Sequence, residues 1–376
     1  MNQVLTYWVA LAHTPKMWTA RKNEIVAFCF KQGKTIVDFF SSDLFLGMEL
    51  TSQEIGLLQQ TKRELANYAF MVEELLDQGY EIIPVTSKVY SPTLKSNLKY
   101  NSPVVLYTKG NKQILQEKSI AIVGSRNANE NSLIFTDNVA KRASSEFKVV
   151  VSGFAKGVDK QALDSALGYK GQSIIVLPQG ITTFSSGIKK YYKQIIEGDV
   201  LVLSTFHPKL PWSVDLAMAR NSIIYGLASE IYAAQSDDKG GTWSGVTEGL
   251  KKGRKVYVRV PEKREKCANQ TLISMGASPV DIEGNEIPTS LEHEAALSVS
   301  QSSSNDNIED RIYDLLSKDS YSSKQIIEKL NLSDCSIQKM SSILSKMKNI
   351  SRIKEGKSTR YSLLSTKRPT QLSLML

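Results

Sequence analysis

The chain has 376 residues, 41% of them hydrophobic, with 47 Lys/Arg against 38 Asp/Glu and a net charge of +9. That length suits two or three domains, and that apolar fraction supplies packed cores and excludes a disordered chain. No apolar run approaches the ~20 residues that span a bilayer, and Cys29, Cys267 and Cys335 are too scattered for a disulfide framework or a zinc site.

Residues 1–77 read as a helical domain. "ARKNEIVAFCF" and "SQEIGLLQQTKRELANYAFMVEELLDQG" place apolar residues three and four apart, and Thr51 or Ser52 ahead of Glu54 marks a helix start. The short apolar stretch at the N-terminus has no basic segment before it, so no signal peptide is expected and the protein is assigned to the cytoplasm, away from membranes. From 78 to 285 the pattern is that of a Rossmann-like domain with an extension. "EIIPVTSKVYSPTLKSNLKYNSPVVLYTKG" is an irregular connector that joins a sheet. Beyond it, "SIAIVG", "KVVVSG", "QSIIVLP", "DVLVLS", "EIYAAQ" and "KVYVRVP" alternate with helical stretches. These runs are continuously apolar, as strands buried on both faces of a parallel sheet are. The predicted fold class is α/β: a doubly wound, mostly parallel, Rossmann-like sheet, with the N-terminal helical domain before it and a winged helix after it.

Residues 286–307, including "LSVSQSSSNDN", form a Ser-rich linker. Residues 308–366 then predict helices from Ile308, from Ser323 and after Ser333 or Asp334, and a hairpin with Gly356 near its tip. That is a winged helix-turn-helix order. Residues 306–376 hold 13 Lys/Arg and 8 Asp/Glu, so more than half of the net charge lies in the last fifth of the chain. A basic module of this kind suits a polyanion, although winged helices also serve as protein-interaction modules.

The chemistry is constrained mainly by what is missing. "GSRNAN" after the first strand of the parallel sheet has one glycine where a dinucleotide turn needs three, and no Walker A lysine motif occurs. No cofactor, metal or catalytic group is expected. His13, His207 and His293 stand beside no nucleophile. What recurs is a basic side chain at successive strand ends: Arg126 beside Gly124 and Ser125, Lys156 beside Gly153, then Lys189 and Lys190. Arg220 and Asn221 open "ARNSIIYGL". On one rim these residues make a phosphate-sized positive surface, with glycines that allow close backbone approach.

The run of motifs resembles the DNA-processing protein A (DprA/Smf) family. "VGSR" at 123–126, "VVSGFAKGVDKQAL" at 150–163, "VLPQGI" at 176–181, "ARNSIIYGL" at 219–227, "GLKKGRKVYVRVP" at 249–261 and "LISMGA" at 272–277 follow in the family's order. The resemblance implies a non-enzymatic protein that binds single-stranded DNA and loads a RecA-type recombinase during DNA-mediated transformation of competent cells, often as a homodimer. It carries Arg126, Lys156 and Arg220 over as DNA contacts, supported by Asn221 and Gly153. Lys189 or Lys190 is the nearest substitute for a family lysine that follows a "YP" pair. Three departures stand out: Ser222 where a second arginine is usual, Leu163 where a histidine is usual, and "GGT" at 240–242 in place of "SGS". The stretch "GGTWSGVTEG" leans toward nucleotide phosphoribohydrolases. Hence a second reading, an N-glycosidase with Glu248 and Arg220 in its site, and a third, a DNA-binding adaptor of another system.

Overall fold

The computed structural model describes residues 2–287 and, further on, 312–313, 315–317, 319–330, 332, 337–347, 350–355 and 358–363. It separates into two compact units, Met1–Ile287 and Pro288–Leu376. The Ser-rich segment beyond Ile287, the helix start at Ile308, the caps Ser333 and Asp334, Cys335, His293 and Gly356 lie outside the described residues. Among the described residues, no helix is long and apolar enough to cross a membrane.

The first unit opens with α1 (Asn2–His13), α2 (Thr19–Lys31), α3 (Ile36–Ser41), α4 (Ser52–Arg63) and α5 (Leu65–Asp77). The start of α4 is a capping box. Thr51 Oγ1 accepts from the Glu54 N–H at 3.2 Å, and Glu54 Oε2 accepts from the Thr51 N–H at 2.8 Å. Leu11, Phe39, Phe40 and Val72 of these helices belong to the same core as Leu106 and Val202 of the sheet. The sequence boundary near residue 77 is therefore continuous in packing.

The connector contributes β1 (Glu81–Pro84), α6 (Pro92–Leu98) and β2 (Val105–Gly110). Then come β3 (Ser119–Val123), α7 (Glu130–Ser145), β4 (Val149–Ser152), α8 (Val158–Gly168), β5 (Ser173–Val176), α9 (Ser185–Lys190), α10 (Tyr192–Glu197) and β6 (Val200–Ser204). The unit closes with α11 (Val214–Leu227), β7 (Glu230–Ala233), α12 (Gly241–Lys251), β8 (Lys255–Arg259), α13 (Asn269–Ser274) and β9 (Ser278–Val280). The nine strands lie in the order β1-β2-β6-β5-β4-β3-β7-β8-β9. β2 runs antiparallel to both β1 and β6; β3 to β9 pair in parallel. Successive residues of β3 face opposite cores. Ile120 and Ile122 pack with Phe135 and Val139 of α7, whereas Ala121 and Val123 belong to the core that holds Ile223 and Ile224 of α11. Two buried faces account for the unbroken apolar run.

From β3 the chain steps one way through β4, β5 and β6, then returns to start β7 on the other side of β3. The switch of strand order lies between β3 and β7. In open α/β sheets, that crevice, beyond the carboxyl ends of the strands, is where ligands bind.

The second unit contains β10 (Tyr321–Ser322), α14 (Ser323–Lys329), α15 (Ile337–Lys346), β11 (Ile350–Glu355) and β12 (Ser358–Leu363), with strand order β10-β12-β11. Its core gathers Ile312, Leu316, Ile326, Met340, Leu344 and Tyr361. Ser322 and Gln325 form a capping box at the start of α14.

Candidate nucleic-acid interface

The loop beyond β3 is tied both to the segment after β7 and to the loop beyond β4. The Ser125 N–H donates to the Gln235 carbonyl at 2.9 Å, and the Val158 N–H donates to the Ser125 carbonyl at 3.4 Å. Gly124 faces Val158, whose Cγ2 would lie 2.5 Å from an added Cβ. Gly157 has φ +84°, and a Cβ there would stand 2.4 Å from the Ser125 carbonyl oxygen. Glycine is needed at this contact both for its conformation and for space. The lock sets Arg126 and Lys156 side by side. Both are exposed, and both line a depression of about 500 Å³ with Lys160 and Asp164. Arg126 makes no hydrogen bond or ion pair among the described residues.

Arg220 does not open its helix and is not exposed, contrary to the rim reading. α11 begins at Val214, capped by Ser213, whose Oγ accepts from the Leu216 N–H at 3.2 Å. Arg220 lies almost two turns in and is only 4% exposed. A helix face that packs on the sheet carries it inward, so an arginine at the start of a quoted motif became a buried one. Its Nη1 is 3.9 Å from Asp159 Oδ2, and its Nε and Nη1 have no hydrogen-bond partner among the described residues. Burial lowers the guanidinium's pKa, with Asp159 pulling the other way; burial likewise raises Asp159 against the pull of Arg220. Asp159 Oδ2 also accepts from the Gly153 N–H at 3.2 Å. A Cβ on Gly153 would fall 1.3 Å from Arg220 Nη1, so the glycine's missing side chain is the space the guanidinium occupies.

Arg220 and Arg126 border two further depressions. One, of about 420 Å³, lies at the strand switch and includes Gly124, Ser125 and Asn221 in its lining. The other, of about 250 Å³, sets Lys156 beside Phe154, Phe184 and Trp212. Phe154 is a non-glycine residue at φ +60°, packed edge-on against Phe184 and Tyr191 with ring centroids 5.1 and 5.6 Å away. Trp212 is 49% exposed. No sequence motif marks these aromatics as site residues. The only signal was an aromatic following a strand end in "SGF", "ITTF" and "LPW".

Gly124, Ser125, Arg126, Gly153, Lys156, Arg220 and Asn221 thus converge. Lys189 and Lys190 do not line these depressions. They end α9, exposed, where Lys190 sits over the Tyr191 ring at 4.9 Å and the nearby Lys160 lowers its pKa.

A family profile described as DNA recombination-mediator protein A matches residues 81–291, more than half of the chain. The chain belongs to the DNA recombination-mediator protein A family. Over 159 residues it is 33% identical to the DNA processing protein DprA of Streptococcus pneumoniae, a segment covering 42% of this chain and 56% of that one. Over 183 residues it is 30% identical to the Bacillus subtilis DprA, covering 48% and 61%. The chain therefore spans less than two thirds of the length of these curated relatives. A crystal structure of the S. pneumoniae DprA aligns with a TM-score of 0.52 at 25% identity, over 70% of this chain and 95% of that one.

Within the DNA recombination-mediator family frame, the three departures have local explanations. Leu163 is a core residue, 1% exposed on α8. Ser222 is half-buried and donates to the Ala219 carbonyl at 2.9 Å. Gly240 holds φ +94° at the start of α12, and a Cβ on Gly241 would lie 2.6 Å from Asn221 Nδ2, so the glycine pair seats the α12 terminus beside α11. Glu248 lines none of the three depressions. It is half-exposed and pairs with Lys252 four residues on, at 2.5 Å.

Proposed function

We propose that this protein binds single-stranded DNA at the carboxyl edge of its sheet, without catalysis, and presents the strand to a RecA-type recombinase in the cytoplasm. The observation that carries the reading is the buried guanidinium of Arg220, paired only loosely with Asp159 at 3.9 Å and set between exposed Arg126 and Lys156 and an aromatic depression. The cations suit phosphates, and Phe154, Phe184 and Trp212 suit a base that no partner strand hides. Duplex DNA presents its phosphates but keeps its bases stacked inside. Homodimer formation and a winged-helix assignment for the second unit complete the proposal, in keeping with the family membership.

The test is a binding titration of single-stranded against duplex DNA at several salt concentrations. We expect tighter single-strand binding that weakens steeply with salt, by ~0.7 log units per log unit of salt for each phosphate contacted. Arg126→Ala and Lys156→Ala each remove about one contact from that slope while the protein stays folded. A flat salt response, or equal affinity for duplex, sinks the assignment. Recombinase loading is tested separately, by strand exchange on DNA precoated with a single-strand-binding protein. The glycosidase reading loses support because Glu248 is engaged with Lys252 outside the depressions. Release of base from nucleoside monophosphates that disappears in Glu248→Gln would restore it.

A further inference from the structure

A separate depression, of about 580 Å³, lies at the turn between α1 and α2, with His13, Lys16, Trp18 and Lys22 in its lining. The turn is pinned at two buried residues, Met17 and Thr14, whose Oγ1 donates to the Ala10 carbonyl at 3.1 Å. Lys16 and Trp18 alternate with them and are left exposed. Lys16 holds a left-handed backbone, φ +52°, that few non-glycine residues adopt. Trp18 leaves 85% of its surface to solvent.

The charge at this turn has one sign, since no carboxylate is in the lining. The nearest acidic residue along the chain, Glu24, pairs with Arg21 at 2.6 Å. Lys22 is only 9% exposed, and its ammonium donates to the Ala12 carbonyl without an ion pair among the described residues. An ammonium has three N–H donors, so Lys22 retains capacity for an anion. Burial lowers its pKa to about 8, and it still carries its charge at neutral pH. His13, held down at about 3, is neutral there. Two cations beside an exposed indole suit a nucleotide, with the phosphate on the ammonium groups and the base against the ring.

The sheet places this turn on the same edge as Arg126 and Lys156. Tyr107 of β2 is in register with Ser204, the last residue of β6, and Tyr107 Oη is 2.6 Å from His13 Nε2. His207, just beyond β6, packs edge-on against His13. The same segment then reaches Trp212 at the aromatic depression. In sheet order β2 lies three strands from β4 and four from β3, about 14 and 19 Å at ordinary strand spacing.

We propose that the α1–α2 turn is a second contact for the same DNA strand, with one base stacked on Trp18 and its phosphate held by Lys16 and Lys22. The inference rests on the single-strand reading above and extends the path from β3 and β4 across β5 and β6 to the helical region. A free nucleotide offers the same chemistry, and the experiment separates the two sources.

The full-length chain is titrated with single-stranded oligonucleotides of roughly 5 and roughly 15 nucleotides, within the range of single-strand site sizes. dAMP is titrated in parallel by calorimetry. Trp18 and Lys16 are exposed, so their variants are expected to fold normally. Trp18→Ala should bind the longer strand about tenfold more weakly and the shorter one as the unaltered protein does. Trp18→Phe keeps a ring and should recover most of that loss. Lys16→Gln should lower the salt slope for the longer strand by about one contact, ~0.7 log units per log unit of salt. Unchanged affinity of Trp18→Ala for the longer strand, while Arg126→Ala and Lys156→Ala bind weakly, overturns this inference alone. An equal loss at both lengths assigns Trp18 to the fold and also overturns it. If Arg126→Ala and Lys156→Ala change nothing either, the single-strand reading falls with it. dAMP that binds through Trp18 as tightly as the longer strand assigns the turn to a free nucleotide and overturns the strand proposal.

Discussion

Gly153 and Arg220 occupy one space, and that pairing explains more of the site than any single charge does. A side chain at 153 would lie 1.3 Å from Arg220 Nη1, so the guanidinium would have to leave the pocket wall or the β4 loop would have to move. Gly153→Ala is therefore expected to cost about 1–3 kcal/mol, as overpacking does in a well-filled interior. It should also weaken DNA binding more than its loss of stability accounts for. Thermal melting and a binding titration on the same preparation check both halves. Unchanged binding in a normally folded Gly153→Ala variant would mean that Arg220 does not touch the nucleic acid. Arg126 and Lys156 behave differently because they are exposed: their removal takes away charge without opening a cavity.

At the scale of elements, the site is a meeting of strand ends and helix starts. The β3 and β4 loops are locked through Gly124, Val158, Ser125 and Gly157, and α11 lays Arg220 and Asn221 across them. Trp212, just before α11, is half-exposed at the aromatic depression, so it is the anchor best placed to stack on an unpaired base. Trp212→Ala is expected to lose about 1–3 kcal/mol of single-strand affinity, the usual worth of one base stack, while duplex affinity stays unchanged. An equal loss on both substrates would reassign Trp212 to a packing role.

At the scale of the whole molecule, α1 is fastened to the sheet through a half-buried histidine. His13 Nε2 and Tyr107 Oη are 2.6 Å apart, and His207 meets His13 edge-on at 5.1 Å between ring centroids. Burial, with the nearby His207 and Lys22, pushes the His13 pKa from 6.5 down to about 3. Below about pH 6.5 the unfolded chain takes up a proton that folded His13 refuses until about pH 3. Stability should therefore fall as the pH drops through that window, by up to about 1.4 kcal/mol per pH unit from this group. Denaturant melts at a series of pH values should show the slope, and His13→Gln should flatten it. A slope equally steep in His13→Gln would move the effect to other groups. The first unit, Met1–Ile287, has its own core, so a chain ending at Ile287 is expected to melt cooperatively and keep most of its single-strand binding. Loss of all binding in that truncation would transfer the main site to the second unit.

The sequence by itself determined the fold class and most of the rim. Short continuous apolar runs such as "SIAIVG" suit strands covered on both faces, and Gly124 and Gly153 mark where two of these runs turn out of the sheet. Gly124, Ser125, Arg126, Gly153 and Lys156 were legible because each lies within a few residues of its strand, where local spacing still dictates position. The start of α4 was legible for the same reason, since a capping box is complete within four residues. Tertiary structure alone decided the burial of Arg220, because the face a helix turns inward depends on the sheet it packs against. Only tertiary structure brought Trp212, Phe184 and Phe154 together, from segments separated by whole strands and helices. The outward pairing of Glu248 with Lys252 was readable from their spacing. That this pair lies off the depressions was not, because the direction of α12 is set by the return of the chain across β3 to begin the other half of the sheet.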